Sequence, residues 1–147
     1  MKTNVESIFD ELICCYPKLE SCQDDIMTAF TLLYNCYCSS NKVLICGNGG
    51  SASDCEHIVG ELMKGFREKR PIPSEFAEKI TKEFAEDSVY LTKHLQGALP
   101  AISLVSHTSL NSAFINDVDS DMSFAQQVYG YGTVSYTHLT LPTIYSV

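Results

Sequence analysis

The sequence has few basic residues and no long apolar segment, and both shortages exclude classes of function. Ten Lys+Arg against 18 Asp+Glu give the 147-residue chain a formal net charge of −8. An acidic chain binds nucleic acid and anionic membrane surfaces poorly, so we expect neither as a partner. No apolar run approaches the roughly 20 residues of a membrane-spanning helix. The opening MKTNVESIFDEL contains no apolar signal core, so we expect a cytoplasmic protein.

Paired Cys-x-x-Cys units, which zinc ribbons require, are also missing. The seven cysteines are crowded into the first 55 residues and are Cys14, Cys15, Cys22, Cys36, Cys38, Cys46 and Cys55. An odd number of cysteines without a signal peptide fits reduced thiols in the cytosol. We therefore expect these side chains to be small apolar groups in the packing rather than disulfides.

Charge is missing altogether from the end of the chain. The last fifteen residues, TVSYTHLTLPTIYSV at 133–147, contain no Asp, Glu, Lys or Arg. Their SYTHLTLPT stretch resembles the translation of a transposase adapter used in sequencing libraries. We therefore expect residues 133–147 to be a non-native read-through tail, and the natural protein to differ from the printed sequence after about Gly132.

The pattern of apolar residues predicts an α/β protein. Helical spacing over residues 1–40 predicts two N-terminal helices. The short apolar runs KVLIC at 42–46 and AISLVS at 101–106 predict strands, the first buried on both faces. A glycine-rich turn and a helix from about Ala52 to Phe66 follow the first strand, which is how an α/β unit begins. The stretch 67–96 combines turn signals with a polar helical pattern.

The turn after the first predicted strand suits an anion. Its glycines let the backbone approach a ligand closely, and the start of the following helix offers N–H groups to a negative charge. We predict a phosphate cradle formed by Asn48, Gly49, Gly50 and Ser51, in which Ser51 also serves as the helix N-cap. No Gly-Lys-Ser/Thr follows, so the turn is not a Walker loop.

Two other interpretations of this turn stay open. The turn matches Gly-x-Gly-x-x-Ala, a pattern of dinucleotide sites, but such a site needs an acidic residue after the second strand. The second strand comes much later here and ends in Ser106 and His107. A tight turn that binds no ligand also fits the residues.

The predicted helix after the turn carries a polar pair on the face opposite its apolar stripe. His57 and Glu61 lie one helical turn apart, so both side chains point toward a common place. This arrangement suits two metal ligands, or a base with its orienting partner. A solvated i,i+4 pair fits the spacing too, and two ligands are too few for a closed zinc site. The apolar stripe itself consists of Cys55, Ile58, Val59, Leu62, Met63 and Phe66.

Three segments together resemble the sugar isomerase (SIS) domain, and within it the phosphoheptose (sedoheptulose 7-phosphate) isomerases. They are CGNGGSASDCEHIVGEL, LPAISLVSHTSLNSAFINDV and FAQQVYGYG. The resemblance covers residues 41–132 and extends more loosely to the helices of residues 1–40. It implies a Rossmann-like, doubly wound parallel sheet, here incomplete, and a homotetramer with active sites at subunit contacts. It also implies aldose–ketose isomerisation of a sugar phosphate through an enediol.

The resemblance implies roles for individual residues. Asn48 and Ser51 match the sugar-phosphate loop of the family. His57 and Glu61 match its metal ligands, usually to zinc, and Glu61 also matches its catalytic base. Because metal ligation lowers the basicity of a carboxylate, we do not expect Glu61 to perform both tasks at once.

Further matches follow the second strand. Asn116 and Asp117 match a turn that contacts substrate hydroxyls in such enzymes. Thr108 and Ser109 line the same pocket or, alternatively, cap a helix. His107 matches a histidine of some relatives, although we expect a packed loop histidine there.

Other members of the family continue with a third strand, a second phosphate loop and a C-terminal helix that completes the metal site. None of these follows residue 132, so we expect the chain as printed to be an inactive fragment of an isomerase. The alternative is a non-catalytic SIS-domain protein that senses a phosphosugar or binds a partner. The insertion-like stretch 67–96 departs from the compact link of a heptose isomerase and leaves the particular sugar open.

Overall fold

The computed structural model describes residues 2–67 and 69–132, and the predicted tail at 133–147 lies outside them. The chain forms two compact units, and the boundary in sequence falls between Val43 and Leu44. No helix of the described residues is long and apolar enough to cross a membrane.

The first unit is helical. It consists of α1 (Lys2–Cys15), a 3-10 helix (Pro17–Cys22) and α2 (Gln23–Cys38). Proline has no backbone N–H to continue α1, but it is suited to the first position of a new helix. The two predicted N-terminal helices are therefore present, and the 3-10 helix lies between them.

The second unit has an α/β order, as predicted. Its elements are β1 (Val43–Ile45), α3 (Gly50–Met63), α4 (Ser74–Glu83), α5 (Ser88–His94), β2 (Ala101–Ser103), α6 (Thr108–Asp117) and α7 (Ser123–Tyr131). β1 and β2 form a two-stranded parallel sheet. The N–H of Leu104 extends the pairing by donating to the carbonyl of Ile45 at 2.9 Å.

The core of the second unit lies where α3 packs on β2. Cys55 of α3 is 3% exposed, and Ala101 at the start of β2 and Leu104 directly after the strand are also buried. Burial raises the pKa of the Cys55 thiol, with a smaller contribution from Cys46, so this thiol remains a protonated packing group. All seven cysteines are free. The expected packing role holds for Cys55, whereas Cys14, Cys15 and Cys38 are exposed.

Burial on the sheet is lower than the sequence predicted. β1 is half-buried along its length rather than buried on both faces. On α3, Ile58 and Met63 are each 45% exposed, and Phe66 lies beyond the end of the helix. The reason is that the sheet has two strands in the described part of the chain, so it covers only the part of the apolar stripe around Cys55.

The insertion-like stretch 67–96 forms a helical hairpin, hereafter the α4–α5 hairpin, that is tied together at its base. The N–H of Gly97 donates to the carbonyl of Arg70 at 2.8 Å, and Nε of Arg70 donates to the carbonyl of Gly97 at 2.7 Å. The Arg70 Nη2 also donates to the carbonyl of Leu62 at 2.6 Å. A Cβ at Gly97 would lie 2.7 Å from the carbonyl oxygen of Pro71, so only glycine allows this approach.

We predict that Arg70→Met lowers the free energy of unfolding by about 1–3 kcal/mol, because two carbonyls lose a charged donor. The midpoint of urea unfolding measures this change. Lys79→Met removes an exposed charge from α4 and is the control, with an expected change within about 0.5 kcal/mol. Equal midpoints for the two variants would show that the base of the hairpin contributes nothing.

Gly47, which precedes α3, and Gly60, which lies near its end, predict opposite effects of alanine. A Cβ at Gly47 would lie 2.8 Å from Cβ and 2.9 Å from the carbonyl oxygen of Ser51, whereas a Cβ at Gly60 meets nothing within 4 Å. We expect Gly47→Ala to lower the free energy of unfolding by about 1–3 kcal/mol through overpacking. Gly60→Ala should raise it by about 0.5–1 kcal/mol, since glycine weakens a helix. Thermal unfolding of both variants checks the signs, and a stabilising Gly47→Ala would contradict the packing described.

Candidate functional site

A cleft of about 420 Å³ lies beyond the carboxyl ends of the two strands, the usual ligand position in open α/β sheets. The wall that follows β1 and begins α3 consists of Gly47, Asn48, Gly49 and Ala52. The wall that follows β2 consists of Val105, Asn111, Ile115, Ser120, Asp121, Ser123 and Phe124. The cleft therefore has a glycine wall, which is mostly backbone, and an opposite wall of mixed polar and apolar side chains.

The glycine wall is a tight turn that leads directly into α3. Gly49 has φ 57° and ψ −127°, a conformation that other residues rarely adopt, and it is the N-cap of the helix. The N–H of Ser51 donates to the carbonyl of Asn48, and the N–H of Ala52 donates to that of Gly49, both at 3.1 Å. The turn places the positive end of the α3 dipole at the cleft.

The predicted phosphate residues divide into two groups. Asn48 and Gly49 line the cleft, whereas Gly50 and Ser51 are exposed residues of the first turn of α3 and do not line it. The prediction that Ser51 caps the helix is wrong, because α3 begins at Gly50 and Gly49 occupies the cap with no side-chain hydrogen bond. The positive φ of Gly49 decides where the helix begins.

His57 and Glu61 lie further along α3, the first exposed and the second half-buried. Neither lines the cleft. A rise of 1.5 Å per residue places Glu61 about 16 Å from Gly50 along the helix axis. Imidazole and carboxylate are suitable zinc ligands, but the described residues contain no group of three His, Cys, Asp or Glu that could hold a metal ion. Metal binding by His57 and Glu61 therefore stays a prediction.

The other predicted ligand residues lie at the two ends of α6. Asn116 and Asp117 are exposed in its last turn, so they belong to a helix rather than to the predicted turn. Thr108 and Ser109 are exposed in its first turn, and they are not its N-cap, because His107 occupies that position. None of these residues lines the cleft, and their contact with a ligand stays a prediction.

His107 has a side-chain partner although it is exposed. Its Nε2 lies 2.7 Å from the hydroxyl oxygen of Tyr131, and the two ring centroids are 6.0 Å apart. The expected loop histidine is therefore held against the end of α7 rather than enclosed.

A buried polar network that the sequence pattern did not reveal lies in the wall opposite the glycines. The carbonyl of Leu104 accepts from Nδ2 of Asn111 at 3.1 Å and from Nε2 of Gln127 at 3.0 Å. Oδ1 of Asn111 accepts from the hydroxyl of Ser123 at 2.5 Å and from Nε2 of Gln127 at 2.7 Å. Gln127 is 2% exposed and Ser123 is 6% exposed. The network joins the end of β2 to α6 and α7.

One signal in the sequence could have pointed to this network. Gln127 and Val128 lie three and four residues after Phe124 and four and three residues before Tyr131 on α7, so the four residues share one face of the helix. A glutamine within an otherwise apolar and aromatic stripe is a candidate buried hydrogen-bonding group. Asn111 and Ser123 carry no comparable signal, because isolated polar residues on short helices are common at the surface.

The comparisons with known proteins agree on one family. Residues 15–93, more than half of the chain, match the family model described as the SIS domain. The phosphoheptose isomerase of Shewanella sediminis is 31% identical over 113 residues, which cover 77% of this chain and 44% of that protein. The phosphoheptose isomerase of Shewanella baltica is 30% identical with the same coverage. The chain thus spans less than half the length of these curated relatives.

A solved structure supports the same relationship. The phosphoheptose isomerase GmhA from Neisseria gonorrhoeae superposes with a TM-score of 0.50 and 25% sequence identity, covering 89% of this chain and 55% of that chain. The region matched by the family model includes β1, the glycine wall and α3. The chain therefore belongs to the SIS domain family and, within it, is similar to the phosphoheptose isomerases.

Proposed function

We propose that this chain forms part of a phosphosugar isomerase that converts sedoheptulose 7-phosphate or a similar sugar phosphate. The observation that carries the proposal is the cleft with a glycine wall at the positive end of α3 and hydroxyl, amide and carboxylate groups opposite. A phosphate is stabilised at a helix N-terminus, and sugar hydroxyls pair with polar side chains. The cleft volume of about 420 Å³ suits a small ligand.

The reaction class defines what the chain must supply. Aldose–ketose isomerisation moves a proton between C1 and C2 through an enediol, so it needs a base within reach of the sugar. We propose Glu61 as this base. In an alternative role, His57 and Glu61 would be two ligands of a divalent metal, zinc in the first instance, with the remaining ligands outside the described residues. Glu61 would not act as the base while it holds the ion, because metal ligation lowers the basicity of a carboxylate. Such an ion polarises the carbonyl and hydroxyl oxygens of the substrate when bound.

The positions along α3 support a division of the site between two copies of the chain. Glu61 lies outside the cleft, and about 16 Å along the axis separates it from Gly50. His57, the other member of the pair, does not line the cleft either. We therefore propose that Glu61 of one copy acts on the sugar held by the glycine wall of another copy, as in the homotetramer implied by the sequence resemblance. The seven free thiols fit the cytoplasm as its compartment.

Hybrid complementation tests this division. Glu61→Gln removes the base, and Gly49→Ala strains the backbone at φ 57°, so each variant of the complete gene product should lose at least about tenfold in rate. Refolded mixtures of the two variants should regain activity, because some sites combine an intact wall with an intact Glu61. Incorporation of solvent deuterium at C1 of sedoheptulose 7-phosphate measures the proton transfer.

The matched control for this experiment is Glu56→Gln. Glu56 lies on the same helix and accepts a hydrogen bond from Ser106 at 3.0 Å, which the amide oxygen of glutamine retains. Its rate should stay near that of the natural sequence. An unchanged rate for Glu61→Gln would refute the base assignment, and two inactive variants that fail to complement would refute the sharing of sites between copies.

Ligand titration tests the phosphate site by itself. We predict that the chain binds sedoheptulose 7-phosphate at least about tenfold more tightly than sedoheptulose, which corresponds to roughly 1.4 kcal/mol from the helix end and the backbone N–H groups. Isothermal titration calorimetry measures both affinities. Equal affinities would contradict a phosphate site at the glycine wall.

A non-catalytic phosphosugar sensor is the second candidate function. It is favoured by the position of Glu61, which does not line the cleft. A sensor would bind sedoheptulose 7-phosphate without exchange of deuterium at C1, whereas an isomerase would show both. The complete gene product is the protein to use, because the chain spans 44% of its curated relative.

A further inference from the structure

A buried backbone carbonyl fixes the direction of the hydrogen bonds in the cleft wall opposite the glycines. Leu104 is 1% exposed, and its carbonyl oxygen can only accept. The side-chain atom of Asn111 that lies 3.1 Å from it must therefore be Nδ2. The amide oxygen of Asn111 then faces the opposite way, toward Ser123 and Gln127.

The same logic determines the Ser123 hydroxyl. Its Oγ lies 2.5 Å from Oδ1 of Asn111, an atom that carries no hydrogen, so Ser123 must donate. Nε2 of Gln127 lies 2.7 Å from the same Oδ1 and 3.0 Å from the carbonyl oxygen of Leu104, so both of its hydrogens are used. Rotating either amide by 180° would place acceptor against acceptor in a buried site, which is costly. Each hydrogen bond of the network therefore has only one possible direction.

We propose that Ser123 determines the specificity of the cleft by accepting, and never donating, a hydrogen bond from a hydroxyl of the bound sugar phosphate. The proposal rests on the proposed function, because it concerns the same cleft. Ser123 and Asn111 both line the cleft, and the one hydrogen of the Ser123 hydroxyl is committed to Asn111. The Ser123 hydroxyl can therefore only accept a hydrogen bond from a ligand.

An accepting group selects among the parts of a sugar phosphate. A sugar hydroxyl can donate to Ser123, whereas a carbonyl oxygen or a phosphate oxygen cannot. Asp121 adds a carboxylate to the same wall, and an anion is disfavoured beside it. The ligand is therefore oriented with its phosphate toward the glycine wall and a hydroxyl toward Ser123.

The first experiment compares sedoheptulose 7-phosphate with inorganic phosphate on the full chain by titration calorimetry. The natural sequence should bind the sugar phosphate more tightly than inorganic phosphate. Ser123→Ala should reduce the affinity for the sugar phosphate about three- to tenfold, the effect of one hydrogen bond, and leave inorganic phosphate within about twofold. Ser123→Thr should retain the preference because it keeps the hydroxyl. Ser112→Ala, an exposed change on α6, is the control and should match the natural sequence.

The second experiment tests the direction of the hydrogen bond with monodeoxyfluoro analogues of the sugar phosphate. Fluorine can accept weakly but cannot donate. One analogue in the series should bind the natural sequence more weakly than the parent sugar, and Ser123→Ala should bind this analogue and the parent equally well. The proposal is refuted if each analogue that binds more weakly than the parent sugar loses the same affinity in the natural sequence and in Ser123→Ala. Ser123 then accepts no hydrogen from a sugar hydroxyl.

The remaining outcomes separate this proposal from the proposed function. Equal losses of sugar phosphate and inorganic phosphate in Ser123→Ala would assign the residue a structural role only and overturn the proposal, while the phosphate site would stand. A natural sequence that binds inorganic phosphate as tightly as the sugar phosphate would also overturn it. Failure to bind either ligand would refute the proposed function, and the role of Ser123 would fall with it.

Discussion

The hydrogen bonds of a single backbone residue, Leu104, connect the parts of the second unit that surround the cleft. Its N–H pairs with Ile45 at the end of β1, and its carbonyl takes donors from Asn111 and Gln127 on α6 and α7. A buried carbonyl left without a donor costs about 1–3 kcal/mol, so both helices are held to the end of the sheet. The carbonyl of Leu104 also determines the orientation of the Asn111 and Gln127 amides in one cleft wall. The pairing with Ile45 holds the end of β1, which the glycine wall follows.

α3 carries two different sets of candidate ligand groups at different positions along its axis. Its first turn presents backbone and the positive end of a dipole to the cleft, and His57 and Glu61 carry titratable side chains beyond it. A helix cannot bend these two regions toward one small ligand, because its rise per residue is fixed. The proposed sharing of one site between two copies of the chain rests on this separation.

Local signals predicted the parts of the fold that depend on neighbouring residues. The apolar runs identified β1 and β2, and the glycines after Cys46 identified the cleft wall, because strand and turn preferences act over a few positions. The start of α3 was misplaced because the backbone conformation of Gly49, rather than the capping preference of Ser51, decides it. The Leu104–Gln127 contact spans 23 residues, and no local pattern contains the partner of a buried amide.

The base of the α4–α5 hairpin has a consequence for the length of the chain that it encloses. Arg70 and Gly97 are hydrogen-bonded to each other, so the chain enters and leaves the hairpin at neighbouring points. The entropy of closing a loop grows slowly, by about 0.6 kcal/mol for each doubling of its length. A change in the number of residues between Arg70 and Gly97 therefore costs little closure entropy as long as these two residues stay hydrogen-bonded.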